Sequence, residues 1–590
     1  MKAFRKTGYI IAILGCALLL SVERAQGQRA EQNSGLKNWT TGPARTVPGQ
    51  PSALDQVLDR IILREKENLR VLQQFTPIVE TYIQDFRVDK ELGLDPVADH
   101  YFLGRASFKG AVRDDSYLRA DKTRFFTTLF RRLQSIRRRG EFVSLGFAQM
   151  AIIDGTGFDR EHYEFKLLDR EFVGELRCLV FEVQPKRHAG KGRFLGRIWV
   201  EDQGYNIVRA NGVFNAEVAN NPYLHFDMWR FNLQPDLWLP AVIFCEELHA
   251  RRMGTPGATA FRAQTRLWGY KTREGDLQEF TQVVVDSNTD VKDQSERSRD
   301  LSPIAAERAW QRQAEDNVIN RLQRAGLMAP PGATEKVLET VVNNLMITNN
   351  LTFDPEIRCR IMLTTPVESF SVGHTIVLSR GLLDVLPDEA SLAFMLAHEL
   401  AHVVLDHRME PDYAFTDRTI FADEQTLRRM SMAHTPAQEL AADQKGMELL
   451  QSSPYSSRLA TVGLFLQQVQ RSHKLLPNLI NARMGNTIFA DPRSSGIATL
   501  TAGAPGLERR NLTQIAALPL GGRIKVDAWT GQVEISKARP VPLLRPRENK
   551  PFEITPMLPY LSRFAAETMR TGMPAKAGSV GSAGSASGAQ

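Results

Sequence analysis

One pentapeptide, His398-Glu399-Leu400-Ala401-His402, constrains this chain more than any other feature. Its two histidines stand four residues apart, one turn above the other on a helical face, so both imidazoles reach a single ion. Glu399 lies about 100° around the axis and meets a water rather than the metal. Leu392, Ala393, Phe394, Leu396 and Ala397 before the motif, and Val403 and Val404 after it, make the helix apolar on nearly every side. Such a helix is buried. Two histidines and a carboxylate buried without partners are strongly disfavoured, and a surface His-Glu-His pattern would need polar flanks that are absent. The sequence therefore predicts one zinc ion held inside a core.

A catalytic zinc takes three protein ligands and keeps a fourth position open. Downstream, Thr435-Pro436-Ala437-Gln438 reads as an N-cap, a proline at the first helical position and a capping-box glutamine. The helix it opens carries Glu439 and Asp443 on one face. Glu439 is expected as the third ligand. Asp443 is expected to hold a liganding histidine by its far ring nitrogen. The rivals for third ligand are Asp423 and Glu424, which look solvated beside Arg428 and Arg429, and His434, which falls in the loop ahead of the cap.

Glu439-Leu440-Ala441-Ala442-Asp443 resembles the Glu-x-x-Ala-Asp element of family forty-eight of the metallopeptidases. These are gluzincins, and include the CAAX prenyl proteases, the heat-shock membrane proteases and the periplasmic β-barrel-assembly-enhancing protease. Phe370-Ser371-Val372-Gly373-His374-Thr375-Ile376-Val377-Leu378-Ser379-Arg380-Gly381-Leu382-Leu383 resembles the family's strand and Gly-Leu-Leu turn, and His407 also fits its pattern. The resemblance spans roughly residues 305–500. It implies zinc on His398, His402 and Glu439, Glu399 as general base and Asp443 behind a ligand. It also implies that the strand through Ile376 is the edge onto which an extended substrate adds. His374 and His407 are candidates for contact with the transition state or substrate, set against an ordinary structural role. The chain departs from the family in two places. Glu368-Ser369-Phe370-Ser371 stands where the family often has Asn-Ala-Phe-Ala, and Ala490-Asp491-Pro492 stands where periplasmic relatives carry a His-Pro loop.

Outside this region, 590 residues leave room for further domains. A hydrophobic fraction of 43% and a charged fraction of 24% match ordinary globular proteins, so global disorder is excluded. Residues 1–27 read as a secretory signal: Lys2, Arg5 and Lys6, an apolar Tyr9–Leu20, then Ala25-Gln26-Gly27. A lipid anchor at Cys16 is the weaker alternative, because the apolar run continues past it. The signal removes a net three of the chain's +7, which leaves thin grounds for nucleic-acid binding. Four cysteines exclude a disulfide scaffold; Cys178, Cys245 and Cys359 are expected as buried thiols with room for one bridge.

The expected divisions are a linker over 28–50, an N-terminal helical region over 51–139, an antiparallel β domain over 140–290 and the peptidase domain over 300–510. A hairpin and extension follow over 511–570, then a Gly/Ala/Ser tail over 571–590. Helical spacing runs from Ser52 towards Phe86, broken at Pro77, and a basic amphipathic stretch covers Lys122–Arg139. That stretch suits a solvated face or a peripheral contact with an anionic membrane. From Leu176 to Val285 the period is two, over seven short strands ending at Phe280–Val285. Arg197-Ile198-Trp199-Val200-Glu201, Tyr205-Asn206-Ile207-Val208-Arg209 and Trp238-Leu239-Pro240 loosely resemble the half-barrel of lipoprotein-sorting proteins.

The fold class expected is α+β and multidomain: a mainly helical zincin-type domain plus an antiparallel half-barrel-like domain. The function expected is an exported zinc metalloendopeptidase, periplasmic or envelope-associated, that hydrolyses peptide bonds of envelope proteins; the partners expected are its protein or peptide substrates and envelope or outer-membrane proteins. The alternative is a periplasmic chaperone or a carrier of lipoproteins or hydrophobic ligands, with the zinc domain secondary. Nucleic acid is not an expected partner.

Overall fold

The computed structural model describes residues 52–89, 93–109, 113–116, 137–138, 141–142, 146–190, 192–214, 224–247, 259–270, 303–408, 430–485, 495–506, 524–526, 532–535, 552–556 and 559–563. The signal, Cys16, the linker, most of the basic Lys122–Arg139 stretch, Phe280–Val285, Asp423, Glu424, Ala490-Asp491-Pro492 and the tail lie outside them. Among the described residues no helix is long and apolar enough to cross a membrane. Contacts divide the chain into residues 1–59 and 60–590. Ser52 caps helix α1 (Ala53–Leu72), its Oγ accepting the Asp55 N–H at 3.1 Å, and the helix residues from Arg60 onward fall in the second unit with all the other elements.

The mixed α+β class is seen. Ten antiparallel strands form one open sheet: β1 (Ile78–Asp89), β2 (Gly93–Ser107), β3 (Arg113–Ser116), β6 (Tyr163–Val173), β7 (Leu176–Pro185), β8 (Phe194–Glu201), β9 (Ile207–Phe214), β10 (Leu224–Gln234), β11 (Leu237–Glu247) and β12 (Thr259–Trp268). Their order is β3-β2-β1-β12-β11-β10-β9-β8-β7-β6, so the outer strands β3 and β6 never meet and the sheet is a half-barrel rather than a barrel. The short pair β4 (Arg137–Arg138) and β5 (Glu141–Phe142) stands apart.

Two expectations need correction here. The N-terminal region is helical only as far as Leu72; from Ile78 it is sheet, and β1 pairs with β12 from Ile78↔Trp268 to Arg87↔Thr259. The reason is burial on both faces. Glu80, Thr81 and Gln84 are as buried as Ile78, Tyr82 and Ile83, so polar and apolar residues do not alternate along the strand. The end of the basic Lys122–Arg139 stretch is likewise strand, not helix, since Arg137 pairs with Phe142.

The second layer holds α2 (Pro303–Arg324), α3 (Ala333–Thr348), β13 (Arg358–Met362), β14 (Ser369–Val372), β15 (Thr375–Ser379), α4 (Arg380–Val385), α5 (Glu389–Val404), α6 (Pro436–Gln451) and α7 (Leu459–His473). In its small sheet β15 is central, parallel to β13 and antiparallel to β14. The strand through Ile376 is therefore not the edge. The tight Gly373-His374 turn folds β14 back onto one side of β15 while β13 takes the other, which leaves β13 and β14 as the two outer strands.

A single apolar core joins the two layers, running from Ile78, Tyr82, Tyr101, Leu103 and Phe244 into Leu363, Phe370, Leu382 and Leu396. A buried polar cluster crosses the same junction. Glu80 accepts the Tyr101 hydroxyl at 2.9 Å, the Thr365 N–H at 2.5 Å and hydroxyl at 2.8 Å, and Arg266 Nη1 at 3.2 Å. Asp99 on β2 accepts the N–H groups of Asn478 at 3.0 Å and Leu479 at 2.7 Å.

The C-terminal extension returns to both layers. Its hairpin, Ile524–Val526 with Val533–Ile535, receives the Thr334 hydroxyl at the Val533 carbonyl, and Phe552 and Ile554 bond to Gln84 on β1. Cys178, Cys245 and Cys359 are buried free thiols.

Candidate metal centre

Helix α5 begins at Asp388, whose carboxylate accepts the Ser391 N–H at 2.9 Å, and every residue from Ala390 to His402 is buried. Helix α6 begins with the capping box expected from sequence: Thr435 Oγ1 accepts the Gln438 N–H at 3.3 Å, and Gln438 Oε1 accepts the Thr435 N–H at 3.0 Å, with Pro436 first in the helix. The two helices lie unusually close because Gly446 faces α5. A Cβ there would sit 3.1 Å from the Cα of His398. This approach brings Glu439 and Asp443 to the histidines.

Among the described residues, His398, His402 and Glu439 each offer a donor atom, all within 4.8 Å of one another. The two Nε2 atoms are 3.2 Å apart; Glu439 Oε2 lies 3.3 Å from His398 Nε2, and its Oε1 lies 3.7 Å from His402 Nε2. A tetrahedral zinc with bonds of about 2.0–2.1 Å would place its ligand atoms about 3.3 Å apart. The spacing fits.

The back nitrogens are engaged as well. His398 Nδ1 lies 2.8 Å from Asp443 Oδ1, so a neutral ring that carries its proton on that side turns the lone pair of Nε2 towards His402 and Glu439. His407 Nδ1 lies 3.0 Å from His402 Nδ1, behind that ring. Lone pairs facing one another in a dry pocket call for a cation between them. Without a metal a proton serves: burial pushes His398 down, but the hydrogen bonds to Asp443 and Glu439 outweigh it and lift the imidazole to about 10. His402 goes the other way, held neutral by burial and then by the charge on His398.

Of the other sequence candidates, His374 occupies the β14–β15 turn, its ring edge-on to Phe353 at 5.9 Å and its carbonyl accepting the Arg358 N–H. It is not one of the converging donors. His434, the rival ligand, stacks on His402 at 4.0 Å between ring centroids and 15° between planes. Burial, then the neighbouring His407 and His398, hold it down to about 4.

Sequence reasoning missed Ser369. Its hydroxyl donates to Glu399 Oε1 at 2.7 Å, across thirty residues of chain. Nothing periodic announces such a contact; the one signal is that Ser369 breaks the family's Asn-Ala-Phe-Ala pattern.

Residues 333–510 match peptidase family M48. The M48 region thus contains α5, α6 and all three converging donors, and the match supports a metallopeptidase. No curated protein matches the chain. Solved structures similar to it include a LolA superfamily protein from Nitrosomonas europaea, at 15% identity over 37% of this chain and 93% of that one, with a TM-score of 0.21. A DUF1329 family protein from Desulfovibrio piger aligns at 12% identity over 38% and 95%, with a TM-score of 0.23. A putative outer membrane lipoprotein-sorting protein domain from Vibrio parahaemolyticus aligns at 10% identity over 38% and 98%, with a TM-score of 0.21. Lipoprotein-sorting proteins are the likeness the strand sequences suggested, but scores this low assign no ligand and no activity to this chain.

Proposed function

We propose that the chain is an exported zinc endopeptidase that cleaves proteins of the cell envelope. The observation that carries the reading is the convergence of His398 Nε2, His402 Nε2 and the Glu439 carboxylate, 3.2–3.7 Å from one another, inside the M48 region. The basic, apolar, small-residue order of residues 1–27 supports export.

His398, His402 and Glu439 would hold the zinc. When bound there, the ion supplies Lewis acidity, lowering the pKa of water and polarising a carbonyl. The remaining steps belong to side chains. Glu399, fully buried one residue after His398, takes the proton of the attacking water and returns it to the leaving amine. Asp443 and His407 fix the rings of His398 and His402 from behind. An extended substrate added to the small sheet would pair with an outer strand, and β14 is the one whose first residue touches Glu399.

The carrier reading finds less support. Phe181, Ile198, Ala210, Met228 and Ile243 lie side by side on one face of the large sheet and are fully buried. The turn of helix over Gly146–Ala151 packs on β10, β11 and β12, and Glu65 of α1 pairs with Arg230. A cavity between α1 and the sheet, lined by Glu65, Arg230 and Trp238, measures about 10 Å³, room for one water and not for an acyl chain.

The test is hydrolysis of an unfolded protein such as casein by the purified chain. Activity should vanish when a chelator strips the metal and return with one equivalent of zinc; hydrolysis that survives complete metal removal would refute the reading.

A further inference from the structure

We propose that Ser369 is a positioning residue for Glu399: its hydroxyl sets the direction in which the carboxylate of the base points. This rests on the base role given to Glu399 above. Ser369 Oγ donates to Glu399 Oε1 at 2.7 Å, and the two residues are 1% and 0% exposed, so water does not compete for the contact. The terminal torsion of a glutamate is broad and twofold. A hydroxyl presented from a fixed backbone removes that freedom, and a base helps only when it is held within reach of the proton it takes.

The backbone that carries this hydroxyl is held from three sides. Ser369 pairs with Leu378 of β15. Its carbonyl lies against Gly485, where a Cβ would come within 2.3 Å of the oxygen. The preceding residue, Glu368, gathers the N–H groups of Arg483 and Met484 at 2.9 Å and of Gly485 at 3.3 Å on one carboxylate oxygen. The strand itself does not require a hydroxyl at this position, since Ser369 stands where the family pattern often has alanine. The serine is a feature this chain adds to the base.

The probe is acetohydroxamic acid, a small chelator that grips zinc through two oxygens and passes its acidic hydrogen to an adjacent carboxylate. Its affinity reads the placement of that carboxylate whether or not a good substrate is known. Dissociation constants are measured on the zinc-loaded full chain for the wild type, S369A, S369T and E399Q, with zinc content alongside and kcat and KM on a peptide. S369A should bind the probe about tenfold more weakly, the loss expected for a hydrogen bond to a charged group. Its kcat should fall by a similar factor at unchanged KM and unchanged zinc content, and S369T should recover part of both. If S369A binds the probe as the wild type does while E399Q binds it more weakly, the positioning role is overturned and the base role stands. If E399Q also binds like the wild type, the base role falls and the inference with it. Loss of zinc from S369A would make Ser369 a structural residue of the metal centre and overturn the proposal too.

Discussion

Glu399→Gln should lower the rate of peptide hydrolysis about a thousandfold while the protein keeps its zinc. General acid–base groups contribute roughly 10²- to 10⁴-fold to such reactions. Glutamine has nearly the shape of glutamate and its amide oxygen can still accept the Ser369 hydroxyl, so the fully buried site need not rearrange. What it cannot do is take a proton from water and return it to the amine. His398, His402 and Glu439 are untouched by the change, so metal content should match the wild type. A variant that cleaves casein at the wild-type rate would remove Glu399 from the mechanism.

The second large effect concerns stability rather than catalysis. Glu80→Ala should cost about 3–5 kcal/mol, because it deletes one partner of a buried ion pair and leaves the other uncompensated. Arg266 would keep its charge with a side chain only 10% exposed, still donating to the Leu363 carbonyl at 2.7 Å. Thr365 would lose the acceptor of both its N–H and its hydroxyl, and Tyr101 the acceptor of its own. Because Glu80 belongs to the large sheet and Thr365 to the layer with the metal centre, urea unfolding of this variant should shift by the same amount whether followed in one layer or the other. A change under 1 kcal/mol, or a shift confined to one layer, would contradict the shared core.

The parts of the fold legible in the sequence are those that carry a period, a cap or a turn signal of their own. Strands β7 to β12 could be read from their period of two and the turns between them. Helix α6 could be read from Thr435, Pro436 and Gln438, and Glu439 and Asp443 followed as neighbours on one face. β1 was hidden because the junction between layers buries Glu80, Thr81 and Gln84 as deeply as the apolar residues beside them. β6 was hidden for the opposite reason. As an outer strand it exposes most residues from Glu164 to Phe172, and Phe172 is 72% exposed, so no apolar face marks it. At the candidate site the residues tied to a helical spacing could be found in advance. His407 and His434, named in advance as a candidate contact and a rival ligand, reach it from loops, and Ser369, which was not named, reaches it from a strand end through a contact that depends on the whole fold.

The most direct measurement is the zinc content of the purified full-length chain beside that of Glu439→Gln. Wild type should hold one zinc per chain, and the variant, with a neutral amide in place of the carboxylate that completes the donor set, should hold well under one at the same free zinc concentration. A folded wild type without zinc, or a variant that binds it as tightly, would contradict the metal centre on which the proposed activity depends.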